Sequence, residues 1–166
     1  MKKLLSIFAV LGLSISALTA CGASDSASSV ITISDPVVRA NDEMSMQNEA
    51  TGKYMTGSFM TIANSSDEEI YLTGGSSDAA AIIEIHEVIN GEMLPMSDGL
   101  AVPANGDVKL RMGGYHVMLM EQAKELKAGE EVTVTLNFSN GESVDYTAPV
   151  KMIAMDDEVY GAEMMP

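Results

Sequence analysis

Short runs of alternating apolar and polar residues, each ended by turn-forming residues, follow one another through most of this 166-residue chain. Alternation with a period of two is typical of strands that bury one face, and no segment sustains the longer period of an amphipathic helix. Turn signals at intervals of roughly 8–12 residues favour a Greek-key β-sandwich or barrel. The sequence therefore predicts a single all-β domain over residues 30–150, with strands at 31–34, 37–40, 53–63, 69–73, 81–89, 106–112, 115–120, 131–138 and 143–150.

Three local signals add detail to this prediction. The pairs Asn90-Gly91 and Asn140-Gly141 favour tight hairpin turns, because these residue types accept the positive φ that such turns need. Residues 121–126 are compatible with one turn of helix.

Two of the predicted strands each carry one of the two histidines of the chain. Alternate side chains of a strand share a face, so His86 lies opposite the apolar Ile83 and Ile85, and His116 shares its face with Met118. Both histidines are therefore predicted to point outward, on an exposed face of the sheet. The core face of the second strand is predicted to carry Tyr115, Val117 and Leu119.

The residues around the histidines supply sulfur as well as nitrogen ligands. Met93 and Met96 lie between the two strands, on a loop expected to fold back over them, so a set of two His and at least two Met side chains is available. Imidazole and thioether groups together select copper, and Cu(I) in particular, over the hard ions that prefer carboxylates. Methionine is more often a packing residue, and Met60 and Met112 are assigned to packing. Glu84 and Glu87 flank His86 and are candidates to orient its ring.

The order of these residues resembles the PCuAC family of periplasmic or extracytoplasmic copper chaperones. The shared pattern is a His, a Met ten residues later, and a His-x-Met that follows Gly-Gly-Tyr. The resemblance runs from Val38-Arg39-Ala40 to Ala148-Pro149-Val150 and includes the Pro103-Ala104-Asn105-Gly106 turn. It implies the cupredoxin-like form of the β-sandwich and Cu(I) as the bound ion. The ligands that it implies are His86, Met96, His116 and Met118, with Met93 as the substitute for Met96.

The resemblance also implies a function, delivery of Cu(I) to a membrane-bound acceptor. The acceptor expected from the family is the copper-binding subunit of a haem-copper cytochrome oxidase, reached directly or through a thiol-bearing copper chaperone. Copper sequestration would use the same ligands. Two further alternatives bind no metal: a surface adhesion or assembly lipoprotein whose Met residues are packing, and a Met-rich sink for oxidants.

The first residues of the chain have the pattern of a lipoprotein signal. A positive start and an apolar run of limited length precede Leu18-Thr19-Ala20-Cys21. Lipidation of Cys21 would anchor the protein to the outer side of the cell membrane, because two acyl chains suffice for stable attachment. Residues 1–20 are thus predicted to be a signal peptide, 21–29 a lipidated Cys with a flexible tether, and 151–166 an acidic tail. The tail holds Met152, Met155, Met164 and Met165, which form either a second, loose copper site or a disordered end.

Composition excludes several classes of protein. Cys21 is the only cysteine, so the domain has no disulfide, no thiol nucleophile and no blue-copper site, which requires a thiolate. The net charge of −15 at pH 7 makes nucleic acid an unlikely partner, because phosphate binding relies on clustered Lys and Arg. No enzyme signature is evident, and the protein is predicted not to be an enzyme.

Overall fold

A computed structural model describes residues 29–41 and 51–153 of the chain. In these segments it contains ten strands and no helix, which confirms the predicted all-β, single-domain architecture. Accordingly, none of the described residues forms a helix that could cross a membrane. The predicted signal peptide, Cys21 and the tail from residue 154 onward lie outside the described residues. The strands are β1 (Ile31–Arg39), β2 (Tyr54–Asn64), β3 (Ile70–Ser76), β4 (Ile82–Ile89), β5 (Glu92–Pro95), β6 (Leu100–Val102), β7 (Gly106–Leu110), β8 (His116–Gln122), β9 (Glu131–Phe138) and β10 (Ser143–Lys151).

The strands form one hydrogen-bonded sheet that folds back on itself. Its order is β5-β4-β8-β2-β1-β10-β9-β3-β6, and β7 pairs separately with β2. The β1–β10 pair is parallel, and the remaining strand pairs are antiparallel. Val117 and Leu119 of β8 belong to the same buried cluster as Val134 and Leu136 of β9, although these strands are far apart in the sheet order. The two halves of the sheet therefore enclose one core.

A buried hydrogen bond joins the two halves across this core. The hydroxyl of Ser58 on β2 lies 2.9 Å from the phenol oxygen of Tyr146 on β10. Burial of the phenol raises the pKa of Tyr146 to about 12, although the hydrogen bond with Ser58 acts in the opposite direction. The phenol thus stays protonated and keeps its donor for this contact.

Both predicted hairpin turns are present. Asn90 and Gly91 connect β4 directly to β5, with φ values of 53° and 85°. Positive φ at both central residues is the type I′ geometry that matches the twist of the paired strands. The second pair lies between β9 and β10, where the Gly141 amide donates to the Phe138 carbonyl at 3.0 Å. The first of these turns is the one that shapes the candidate site, because β4 carries His86.

Several details of the strand prediction are wrong. The two predicted pieces 31–34 and 37–40 are one strand, β1, whose register shifts between Ser34 and Val37, next to Asp35 with a φ of 51°. The short strands β5 and β6 were not expected, because they have only four and three residues and show no alternation of their own. Each is a strand because a longer neighbour, β4 or β3, offers it hydrogen bonds.

The predicted turn of helix at 121–126 is also wrong. Strand β8 continues to Gln122, and Glu121 has a φ of 56°, which is incompatible with a right-handed helix. The backbone amide of Leu126 donates instead to the Asn41 side chain at 2.7 Å. A buried side chain therefore replaces the helical hydrogen bond in this segment.

Candidate metal centre

The two histidines face each other across neighbouring strands. Antiparallel pairing of β4 with β8 places His86 directly opposite His116, the first residue of β8. Their ring centroids are 5.7 Å apart, with an interplanar angle of 62°. Directly opposite residues of an antiparallel pair share one face of the sheet. The sheet therefore brings together two imidazoles that are thirty positions apart in the sequence.

Hydrogen bonds fix the orientation of both rings. The Nδ1 atom of His116 lies 2.9 Å from the carbonyl oxygen of Gly114, and the Nε2 atom of His86 lies 2.9 Å from a carboxylate oxygen of Glu84. Carbonyl and carboxylate oxygens only accept hydrogen bonds, so each of these nitrogens carries the proton in the neutral ring. The lone pairs are consequently on the other nitrogens, His116 Nε2 and His86 Nδ1.

The free nitrogen of His86 is buried. Among the described residues, its Nδ1 atom is the buried side-chain nitrogen without a hydrogen-bond partner. An unpaired buried acceptor is costly in a folded protein, and such an atom is frequently a ligand for something bound. In metal sites the second ring nitrogen of a ligating His usually donates to a carboxylate or carbonyl, as both histidines do here.

The surroundings of His116 favour the neutral imidazole. Burial lowers the pKa of His116 below its usual value of 6.5, and the neighbouring His86 lowers it further, while the bond to the Gly114 carbonyl partly opposes this. A neutral ring keeps its lone pair, which is the form that binds a metal. His116 can therefore donate its lone pair to a metal ion at neutral pH.

Met118 adds a sulfur atom to the same face. It pairs with Glu84 on β4 and with Gly57 on β2, one row from the histidine pair. It is buried but does not belong to the core cluster that contains Val117 and Leu119. The prediction that the sulfur face of β8 is opposite the core face is therefore confirmed.

The predicted exposure of this face is wrong. His86, His116 and Met118 are only 8%, 4% and 3% exposed. Part of the cover is the Phe59 ring, whose centroid lies 6.3 Å from that of His116. This ring occupies the space above Gly57, where an added Cβ would come within 2.9 Å of it. The sequence signal for this layer is the glycine inside a strand, which marks close approach of another group.

The two candidates for the middle ligand have different surroundings. Met93 lies within β5, paired with Val88, and is 52% exposed, whereas the expectation was a loop. This pairing puts it on the same face as His86, two residue pairs closer to the turn, because His86 pairs with Pro95. Met96 follows β5, its amide donates to the Ile85 carbonyl at 2.8 Å, and it packs against the core cluster. The strand pairing thus brings His86, His116 and Met118 together; Met93 shares their face, whereas Met96 packs against the core cluster.

Of the other residues singled out in the sequence, some have the predicted surroundings and others do not. Tyr115, expected in the core, is 38% exposed, because β8 begins one residue later. Glu84 contacts His86 as considered above, but Glu87 pairs with Leu94 on the opposite face. Met60 is buried in the core cluster, which confirms its packing role. Met152 is exposed, and the other tail methionines lie outside the described residues.

No group of three or more His, Cys, Asp or Glu side chains in residues 29–41 and 51–153 is arranged to hold a metal ion. The two histidines therefore do not form part of a hard, carboxylate-rich site. A metal ion bound between them would need further ligands of another type, and the nearby candidates are the Met thioethers.

Sequence comparison identifies the family of this chain. The family described as "Putative lipoprotein LpqE-like" matches residues 31–150. The match begins with the first residue of β1 and ends one residue before the end of β10. The chain belongs to the LpqE-like family. A "Putative lipoprotein Lxx21020" of Leifsonia xyli is 34% identical over 116 residues, 68% of this chain and 70% of that protein. The "Uncharacterized protein RP573" of Rickettsia prowazekii is 29% identical over 86 residues, 49% of this chain and 48% of that protein.

Solved structures similar to this LpqE-like chain include PCuAC domains. The copper-bound PCuAC domain from PmoF2 superposes with a TM-score of 0.60 at 26% identity and covers 75% of this chain and 95% of that domain. The solution structure of CuI-DR1885 from Deinococcus radiodurans gives 0.59 at 29% identity and covers 80% and 85%. The resemblance to PCuAC proteins and the cupredoxin-like fold predicted from it are confirmed.

Proposed function

We propose that this protein binds one Cu(I) ion at His86, His116 and Met118, with Met96 as the fourth ligand and Met93 as its substitute. The observation that carries the proposal is the buried histidine pair, whose ring nitrogens His86 Nδ1 and His116 Nε2 carry no proton in the neutral tautomers inferred from their hydrogen bonds. The first of these nitrogens lacks a partner among the described residues. A buried thioether on the same face supplies the third donor.

The chemistry of these donors favours Cu(I). Two imidazoles and two thioethers are neutral, so the ion keeps its single positive charge and receives no oxygen ligand. Partial burial also disfavours a more highly charged ion, because desolvation costs rise with charge. The copper-bound PCuAC domain from PmoF2 and the CuI form of DR1885 support the assignment, since both share this fold.

We propose further that the protein is a carrier of copper and not an enzyme. Neutral thioether ligands can be replaced one at a time by a stronger thiolate of an acceptor, which suits transfer between proteins. The lipoprotein names of its family and of the Leifsonia relative support a location outside the cytoplasm, with Cys21 as the lipidated residue. The acceptor proposed is the copper centre of a membrane-bound cytochrome oxidase, reached directly or through a thiol-bearing chaperone, with sequestration as the alternative.

Competition titration with a Cu(I) chelator tests the binding site. The chain from Cys21 onward should bind one equivalent of Cu(I). His116→Asn should lower the Cu(I) affinity more than about 100-fold, which exceeds the loss expected when a residue that contacts only a ligand, and not the metal, is replaced. Met118→Leu is the suitable sulfur variant, because it keeps the buried volume. Met60→Leu, at a methionine that packs in the core cluster, is the control and should bind as the parent does.

Met96→Leu and Met93→Leu, compared in the same titration, identify the fourth ligand. The variant that loses affinity removes the ligand. Unchanged Cu(I) affinity in both His116→Asn and Met118→Leu, with the fold intact, would mean that copper binds elsewhere or not specifically.

A further inference from the structure

Exposed apolar side chains are concentrated next to the candidate copper site. Seven large hydrophobic residues are exposed in the described part of the chain, and four of them lie at one end of the β4–β8 pair. We call these four the hairpin surface. Exposed apolar side chains that are concentrated in one place, unlike those scattered singly, are typical of interaction sites. The hairpin surface consists of Ile89, Met93, Leu94 and Tyr115.

Strand register places the hairpin surface beside the histidines. Met93 belongs to the second residue pair beyond the His86–Pro95 pair toward the turn, and Tyr115 immediately precedes His116. One strand residue advances about 3.3 Å, so the surface begins within roughly 7 Å of the histidine row along the strands. A molecule seated on this surface therefore reaches the site from the margin of the sheet.

The hairpin surface is also accessible from the side. Strand β5 is the first strand in the sheet order, and all four of its residues are exposed. Leu94 and Ile89 share the face opposite His86, while Met93 shares the face of His86. The hairpin thus presents apolar groups on both faces of an edge, where a partner can pack without displacing a neighbouring strand.

Charge determines which kind of partner fits. Every charged residue of segment 82–98 is acidic, and the segment contains no Lys or Arg. A second copy of this chain would bring like charges together, and an anionic membrane would be repelled in the same way. A protein face with an apolar centre and a basic rim would instead be attracted by these charges and would pack against the apolar side chains. The acidic residues are Glu84, Glu87, Glu92 and Asp98.

We infer that the hairpin surface is the docking site for the copper acceptor, and that the acceptor carries an apolar face ringed by Lys or Arg beside its copper ligands. This inference rests on the proposed function. It adds that docking and metal transfer occur on the same hairpin, because β4 carries both His86 and part of the docking surface. Contact with the hairpin brings the ligands of the acceptor next to the histidine pair.

A copper-free experiment tests the docking site. Two synthetic peptides contain the same Cys-x-x-Cys pair and the same Leu residues, one with Lys and the other with Glu at the flanking positions. Amide chemical shifts of the whole apo chain in detergent micelles are recorded with each peptide. The Lys peptide should shift residues of β4, β5 and Tyr115, and the Glu peptide should not. Shifts elsewhere, equal effects of both peptides or no effect of either would overturn the inference.

Transfer kinetics supply the second measurement. Leu94→Ser and Ile89→Ser, neither of which is a candidate ligand, should slow Cu(I) transfer to the Lys peptide about tenfold without changing the Cu(I) affinity. Tyr71→Ser, at a similarly exposed residue on β3, should change the rate less than about twofold. Equal rates in all three variants would overturn the inference.

Failure of the docking inference and failure of the proposed function give different results. If the chain does not bind Cu(I), the proposed function fails, and the shift map of the apo chain still decides whether the hairpin docks a basic partner. Concentration-dependent self-association in sedimentation that Leu94→Ser abolishes would assign the surface to a second copy. Binding of the parent, but not of Leu94→Ser, to phosphatidylglycerol vesicles would assign it to the membrane. Either result would overturn the inference.

Discussion

At the scale of single residues, Glu84 controls which nitrogen of His86 is available. Its carboxylate accepts from Nε2 at 2.9 Å, which leaves Nδ1 with the lone pair. Glu84→Leu removes this acceptor, so the ring is free to rotate or change tautomer, and Cu(I) affinity should fall about 10- to 100-fold. Glu84→Gln keeps an oxygen acceptor for the ring, so its Cu(I) affinity should fall less than that of Glu84→Leu. Chelator competition measures the affinity, and nitrogen NMR of the apo chain reports the tautomer.

The matched control for Glu84 is Glu87. It lies on the opposite face of β4, paired with Leu94, and no described contact joins it to His86. Glu87→Leu should therefore leave both the tautomer of His86 and the copper affinity unchanged. If Glu84→Leu and Glu87→Leu behave alike, the carboxylate of Glu84 has no role in positioning the ring.

The buried position of His116 predicts a pH-dependent stability of the apo protein. Its folded-state pKa is lowered below 6.5, chiefly by burial, so the unfolded chain takes up a proton at higher pH than the folded chain. The free energy of unfolding should then decrease as pH falls from about 6.5 toward the lowered value, and level off below it. His116→Asn keeps an N–H donor for the Gly114 carbonyl and does not titrate. Urea denaturation at several pH values should show a weaker decrease in this variant.

The sequence predicted the histidines and Met118 on a common face because the period of a strand is a local property. It did not predict their burial, since the cover comes partly from Phe59, on a strand that meets β8 only in the folded sheet. Tyr115 was assigned to the core because it continues the alternation of β8. The Arg111 amide instead donates to the Tyr115 carbonyl, which closes a turn and ends the alternation there.

At the scale of elements, Asn41 joins the end of β1 to the segment after β8. Its side chain donates to Gln122 at 2.8 Å and accepts from the Leu126 amide at 2.7 Å, and it is only 1% exposed. Asn41→Leu leaves these buried groups without partners, so the free energy of unfolding should fall by about 2–4 kcal/mol. Urea denaturation checks this value. Asn137→Ala, on the exposed face of β9, should change it by less than about 0.5 kcal/mol.

Strands with a clear alternation were predictable, and those that depend on a neighbour were not. Strand β9 has the predicted bounds, because its burial alternates along its whole length. Strand β5 exists because the Asn90-Gly91 turn returns the chain along β4. The helical turn predicted at 121–126 fails because Asn41, which is 85 positions from Leu126, supplies its hydrogen bonds. Local propensity contains no information about such a contact.

At the scale of the whole molecule, the proposed copper site and its access lie at one margin of the sheet. The histidine row is at the start of β8, and the exposed hairpin extends beyond it at the sheet edge. The core cluster lies on the face opposite His86, His116 and Met118, so exchange at these three residues does not require the core to open. The surface of the protein is strongly acidic, with a net charge of −15 for the full chain. Such a field attracts cations and basic protein surfaces to the site.

Delivery and sequestration differ in what the cell loses when the protein is absent. In cells that lack the protein, delivery predicts low cytochrome oxidase activity at limiting copper, restored by added copper, because the acceptor then fills without a carrier. Complementation with His116→Asn should fail, whereas Met60→Leu should restore activity, since it leaves the proposed ligands intact. Normal oxidase activity together with greater sensitivity to copper would assign the protein to sequestration. Leu94→Ser separates the two roles within one protein, because it should retain the copper and deliver it slowly.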